Sequence, residues 1–202
     1  MAEVKIEQVK ELRELTGAGM MDCKNALQET GGDIDKAVEF LRQKGLASAA
    51  KRADRTANQG LIDSYIHFNN TVGVLVEVNC ETDFVANTDE FRQLVKDIAL
   101  HIASPAAPKY LRREQIPTDV LEHERGIFEA QAREMGKPDA VVPKIVESKM
   151  KAFYQETVLL EQVYVKDDTK TIQGMLDEVG AKVGEKVAVR RFARYKLGEE
   201  LD

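Results

Sequence analysis

Only two cysteines occur in this 202-residue sequence. Cys23 and Cys80 lie far apart, in no CxxC and in no His/Cys ligand spacing, so neither a disulfide scaffold nor a zinc site finds support. Both thiols read as small buried apolar side chains of a reducing compartment. Histidine is almost as scarce: His67, His101 and His123 are the only three, and none stands beside a Ser or Cys in a nucleophile motif such as G-x-S-x-G. No apolar run is long enough to cross a bilayer, and Met1-Ala2-Glu3-Val4-Lys5 leads straight into a charged amphipathic pattern without a secretory apolar region, which makes the cytoplasm the expected location. Internal repeats and low-complexity tracts are missing too. The formal charge of −6 argues against a protein that coats nucleic acid by neutralising phosphates.

Several near-motifs fail on their own chemistry. Gly180-Ala181-Lys182-Val183-Gly184-Glu185-Lys186-Val187 resembles a phosphate loop, yet its glycine spacing is short by one, Glu185 intrudes and the Ser/Thr that would hold magnesium is missing. Glu81, Asp83, Asp89 and Glu90 lack the alternating ligand positions and central Gly of a calcium loop, and acidic charge near a helix N-terminus accounts for them. Neither a metal nor a cofactor is expected. Arg190, Arg191 and Arg194, interleaved with Phe192 and Tyr195, are the best nucleic-acid signal. Alternate strand residues diverge, so the three cannot share a face, and ion pairs to the surplus carboxylates are preferred to direct RNA contact. An enzymatic reading would combine Cys80, Glu81 and His67, but no cation near Cys80 in sequence favours its thiolate.

What is present is an ordered series of amphipathic segments. Ile6, Val9, Leu12 and Leu15 form a stripe stopped by Gly17; Met20, Cys23 and Leu27 form a second, stopped by Gly31 and Gly32; Asp33 caps a third helix with Ile34, Ala37, Val38 and Leu41 inward until Gly45. These spacings predict a compact three-helix bundle over residues 1–46, then an Ala/Lys/Arg-rich linker over 47–60. Residues 61–202 read as an α+β core. Leu61 to Phe68 and Thr71 to Cys80, joined at Asn69-Asn70, predict an antiparallel hairpin. A helical hairpin follows over about 119–157, its second helix starting at Asp139 with Pro143 near its first turn. Val163-Tyr164-Val165, a helix from Thr171 to about Val179 and a strand from Lys186 to Lys196 complete the chain.

The segment Glu81-Thr82-Asp83-Phe84-Val85-Ala86-Asn87 stands out. Upstream, Val72, Val74, Val76 and Val78 alternate with Gly73, Leu75, Glu77 and Asn79 as a half-buried strand; downstream, Asn87 and Glu90 have the spacing of a helix cap and its reciprocal partner, predicting a helix to Ala103. The connection between them presents Phe84 where the surrounding pattern gives it no core. Either Phe84 folds back beneath the helix as a staple, or it enters something else.

Leu12-Arg13-Glu14-Leu15-Thr16-Gly17-Ala18-Gly19-Met20-Met21-Asp22-Cys23-Lys24 and Asn79-Cys80-Glu81-Thr82-Asp83-Phe84-Val85-Ala86-Asn87 closely resemble bacterial elongation factor Ts. Gly136-Lys137-Pro138 with Lys144-Ile145-Val146-Glu147, and Leu159-Leu160-Glu161-Gln162 with Val165-Lys166-Asp167, are similar to that family as well, so the resemblance spans essentially the whole chain in order. It implies an N-terminal bundle of the ubiquitin-associated type and an α+β core with an antiparallel sheet and a helical hairpin. The function it implies is guanine-nucleotide exchange on elongation factor Tu, not bond chemistry. By the same resemblance, Thr82, Asp83, Phe84 and Val85 enter the partner's GTPase domain and dislodge magnesium. Gly19, Met20, Met21 and Lys24 become partner contacts of the bundle, and a further partner domain is engaged. Longer relatives carry two core halves whereas short ones pair through their sheets; Tyr65, His67 and Leu75 would suit a homodimer and a two-plus-two complex. Some short relatives place a cysteine where Ala193 stands, so no disulfide can form there. Two rivals remain: a bundle that acts as a general peptide binder, and RNA contact through the arginine strand.

Overall fold

The computed structural model describes residues 4–200, leaving the first three and last two positions of the expected bundle and core outside the described residues. The chain is an α+β fold of two compact units, one made of Met1–Leu61, Val78–Leu94 and Met175–Ala188, the other of Ile62–Glu77, Val95–Gly174 and Val189–Asp202.

In the first unit α1 (Ile6–Thr16), α2 (Met20–Glu29) and α3 (Ile34–Arg52) close around Val9, Leu12, Cys23, Ala26, Leu27 and Ala37. The bundle's stripes are narrower than their spacing suggests. Ile6 and Leu15 are each 65% exposed and Met20 is 44% exposed, because a short helix needs only the residues facing its two neighbours to be apolar. Gly17, at φ 64, ends α1 in the left-handed conformation and donates its amide to Arg13 O. The Asp33 carboxylate caps α3 by accepting from Lys36 N. Gly45 does not end α3, contrary to the sequence expectation. Its φ is not positive, a glycine inside a helix costs only about 1 kcal/mol, and the alanines beyond it carry the helix on to Lys51 and Arg52, whose charges suit its C-terminal dipole.

Strands β1 (Gln59–Ile66), β2 (Val72–Cys80) and β5 (Ala188–Lys196) form one sheet in the order β1-β2-β5. The hairpin turn closes with His67 N donating to Val72 O, Asn70 at φ 57, and the Asn69 side chain accepting from Thr71 N. Asn-Asn works here because asparagine tolerates the left-handed region and mimics a backbone acceptor. Val74, Val76 and Val78 are buried as their alternation predicts. Helix α5 spans Asp89–Ala103 and buries Phe91, Val95, Ile98 and Ile102 along one stripe.

In the second unit α6 (Thr118–Glu134) and α7 (Val142–Thr157) pack on each other through Ala132, Val142, Val146 and Met150. Helix α7 starts at Val142 instead of Asp139, with its proline in the first turn, where no backbone donor is needed. A short antiparallel pair, β3 (Val163–Tyr164) and β4 (Asp167–Thr171), precedes α8 (Ile172–Val183). Strand β4, reading Asp-Asp-Thr-Lys-Thr, is almost wholly exposed and has no apolar alternation to announce it. Among the described residues, no helix is long and apolar enough to cross a membrane.

Candidate functional site

At the end of β2 the chain enters a single-turn helix, α4 (Asp83–Ala86), instead of a plain loop. Thr82 is its N-cap, extended at φ −126 and ψ 155, with its hydroxyl accepting from Val85 N. Val85 and Ala86 point inward, which anchors the far side of the turn. A second cap follows at once: Phe91 N donates to Thr88 Oγ1, and Arg92 N to Thr88 O. Thr88, not Asn87, therefore starts α5. Asn87 instead closes α4, its amide groups donating to Asp83 O while its Oδ1 accepts from Arg92.

Between these anchors Asp83 and Phe84 face solvent. Phe84 is 83% exposed, so it is no staple; a ring this open on a turn held at both ends is a preformed projection. The Asp83 carboxylate takes part in no ion pair or side-chain hydrogen bond among the described residues.

The near side of the turn is fixed by two carboxylates facing opposite ways. Glu185 Oε2 accepts from Glu81 N and Thr82 N, both at 3.0 Å, and Glu185 Oε1 accepts from Thr82 Oγ1 at 2.6 Å. In return Glu81 Oε1 accepts from Lys186 N at 2.6 Å and from Arg55 Nη1 at 3.3 Å. The Lys186 amide, helped by Arg55, holds the Glu81 carboxyl below its ordinary range. Cys80, buried beside this clasp, donates its thiol to Thr82 O. Burial, reinforced by the Glu185 charge, pushes that thiol up to about 11, which disposes of Cys80 as a nucleophile at neutral pH.

In the bundle of the same unit, Gly19 is the N-cap of α2, and Gly19, Met20, Met21 and Lys24 are all exposed. Leu15 flanks the same Gly17–Gly19 turn from the end of α1 as an exposed apolar group, outside the core that its stripe predicts for it. The Lys182 stem lies over this turn: a Cβ on Gly17 would come within 2.3 Å of its Cε. Its ammonium pairs with Glu90 and Glu178 at 3.0 and 3.1 Å.

Tyr65 and His67 are not brought together with Leu75. Ile66 Cδ1 abuts Gly73, and the hairpin bond between His67 and Val72 sets Tyr65 opposite Val74, on the valine face. The solvent face of β2 carries Leu75, 50% exposed, with Ile62 and Ile66, 61% and 60% exposed, on β1. Their alternation with Leu61, Asp63 and Tyr65 was the available sign. Arg190 and Arg191 both reach the one Glu77 carboxylate, and Arg194 pairs with Glu199, so the arginines of β5 are engaged within the protein. Among the described residues, no cluster of His, Cys, Asp or Glu is arranged to hold a metal ion.

A family model described as Elongation factor TS matches residues 1–199. The chain is 56% identical to Elongation factor Ts of Desulforamulus reducens over 202 residues, covering 100% of this chain and 93% of that protein. It is likewise 56% identical to the Caldanaerobacter subterraneus subsp. tengcongensis protein of the same name over 199 residues, 98% of this chain and 99% of the other. With Elongation factor Ts of Geobacter metallireducens it shares 57% identity over 194 residues, 96% and 89% of the two chains.

Proposed function

This chain belongs to the elongation factor Ts family, the guanine-nucleotide exchange factors of elongation factor Tu, and from that premise we propose that Thr82, Asp83, Phe84 and Val85 form the element that displaces magnesium from the partner's nucleotide site. The observation that carries this reading is the 83% exposure of Phe84 on a turn pinned through both its ends. Magnesium demands near-ideal octahedral geometry and bridges protein and phosphate oxygens, so a small displacement of the groups around it removes much of the nucleotide's affinity. The wedge need not touch GDP. In this division of labour Phe84 supplies the apolar insertion, Asp83 a carboxylate free to compete for partner donors, Thr82 the cap and Val85 the anchor.

Burying one phenylalanine side chain yields roughly 1.5–3 kcal/mol, whereas each 1.4 kcal/mol is about tenfold in an equilibrium constant. One ring cannot weaken a nucleotide several-thousand-fold. The remainder comes from docking of the bundle, residues 1–46, on the GTPase domain through Gly19, Met20, Met21 and Lys24, with the core, residues 61–202, engaging a further domain. Coupling is reciprocal: the factor by which this protein weakens GDP is the factor by which GDP weakens its own binding. No covalent bond is made or broken, and the protein acts in the cytoplasm.

The test is release of a fluorescent GDP from bacterial elongation factor Tu by stopped flow. Phe84→Ala should retain the fold and accelerate release far less than the native chain; unchanged acceleration would return Phe84 to an incidental surface role. The sheet face bearing Leu75, Ile62 and Ile66 supports assembly through a second copy into a two-plus-two complex, with Tyr65 and His67 on the opposite face and outside that contact. Light scattering at micromolar concentration reads a dimer or, against this, a monomer.

A further inference from the structure

Glu185 sits far from the exchange turn in sequence, yet spends its whole carboxylate on it, accepting from two consecutive backbone amides, Glu81 N and Thr82 N, and from the Thr82 hydroxyl. These are the last donors before Asp83. Because the Thr82 proton goes to Glu185, the hydroxyl oxygen is left to accept from Val85 N, so one anion fixes both the direction of the strand's end and the polarity of the helical cap. The residue is itself held. Gly184 turns at φ 74 and its carbonyl accepts from Arg55 at 3.4 Å. The Lys186 ammonium donates to Ala53 O and Arg55 O at 2.5 and 2.9 Å. A Cβ on Gly180 would meet Glu185 O at 2.9 Å, so the backbone there rests directly on α8.

We infer that Glu185 is a positioning residue for nucleotide exchange: its carboxylate sets the orientation of the Asp83-Phe84 turn, and so the rate at which a docked partner loses its nucleotide, without contributing to docking. The inference rests on the role proposed for Phe84 above. It follows from the economy of the contacts. A turn with one aromatic ring in solvent has little packing of its own to choose a direction, and three charge-assisted bonds from a rigid neighbour supply that choice.

The experiment is GDP release from elongation factor Tu measured across a range of full-length factor, which separates the maximal rate at saturation from the concentration giving half of it. Glu185→Ala should lower the maximal rate roughly tenfold, the effect of about 1.4 kcal/mol, and leave the half-saturating concentration within about twofold. Glu185→Gln, which keeps a carbonyl acceptor, should recover part of the loss. In the Phe84→Ala background, Glu185→Ala should cost much less than in the native chain, because it acts chiefly through that ring. Thr82→Val removes one of the three donors to Glu185 together with the cap that accepts from Val85 N and should give a fall of the same kind; it carries the test should Glu185→Ala fail to fold by circular dichroism. A change confined to the half-saturating concentration, or a full additional loss in the double variant, overturns the inference. If Phe84→Ala is slow while Glu185→Ala and Thr82→Val match the native chain, only the role of Glu185 falls. If Phe84→Ala matches the native chain, the wedge falls and takes this inference with it.

Discussion

Phe84 and Phe91 are the same side chain in opposite circumstances, seven residues apart in sequence. Phe84 is 83% exposed and Phe91 is 0% exposed. Truncating Phe91 to alanine should cost about 3–5 kcal/mol through lost burial and a cavity, while truncating Phe84 should change stability by no more than about 0.5 kcal/mol. Urea unfolding of the two variants checks both. A large loss for Phe84→Ala would show the ring packing somewhere in solution. Cys80 allows a second residue-level prediction. Its thiol, pushed up to about 11 by burial and the Glu185 charge, and Cys23, pushed up chiefly by burial, should both resist iodoacetamide near pH 8 in folded protein and react rapidly once it is unfolded. Fast labelling of the native chain would revive a nucleophilic reading of Cys80.

Helices tolerate glycine better than sequence punctuation implies, and α3 makes the point measurable. Gly45 lies inside α3 and Gly126 inside α6, neither at positive φ, and a Cβ on either would meet nothing within 4 Å. Gly45→Ala and Gly126→Ala should each stabilise by about 0.5–1 kcal/mol by removing backbone freedom from the unfolded chain, read as a raised Tm. A lowered Tm would mean those positions need glycine. The same helices mark how far the sequence could be read. Period and caps located the bundle, the hairpin turn at Asn69-Asn70 and the strand of alternating valines, because those signals are local. Gly45 misled because a glycine marks a helix end only where the backbone turns left-handed, as at Gly17. Asn87 and Thr88 are two capping residues side by side, and only the one-turn helix before them decides that Thr88 starts α5. Glu185 had no legible sign at all: its partners are Glu81 and Thr82, and nothing short of the fold joins the turn before β5 to the end of β2.

His101 in the second unit and Glu81 in the first both sit where folding penalises acid, and the two act in different pH windows. In the second, His101 is 0% exposed, with its Nε2 facing Gln162 Oε1 at 2.9 Å and its Nδ1 accepting from Val165 N at 3.2 Å. A second ring proton would confront that amide, so the imidazole is neutral, and burial, only partly opposed by Gln162, holds its pKa below the ordinary 6.5. The unfolded chain then binds the proton more tightly than the folded one. His101 therefore costs nothing above about pH 6.5, and stability declines as pH falls below that value until the folded pKa is passed. Glu81 in the first unit is depressed by the Lys186 amide and by Arg55. Its contribution is complete above the unfolded value of 4.5 and is lost as pH drops through the lower folded pKa. Urea unfolding from pH 8 to pH 4 should accordingly show a first decline below pH 6.5, of at most about 1.4 kcal/mol per pH unit from this one proton, and a further one below pH 4.5. His101→Gln should lower stability at pH 8, since it disturbs a buried pair of hydrogen bonds, yet flatten the first decline and spare the second. Glu81→Gln should spare the first decline and lessen the second, of which Asp33 and Asp167, held down by their own hydrogen bonds, keep a share. An unaltered slope between pH 6.5 and pH 5 in His101→Gln would place the acid-sensitive proton elsewhere.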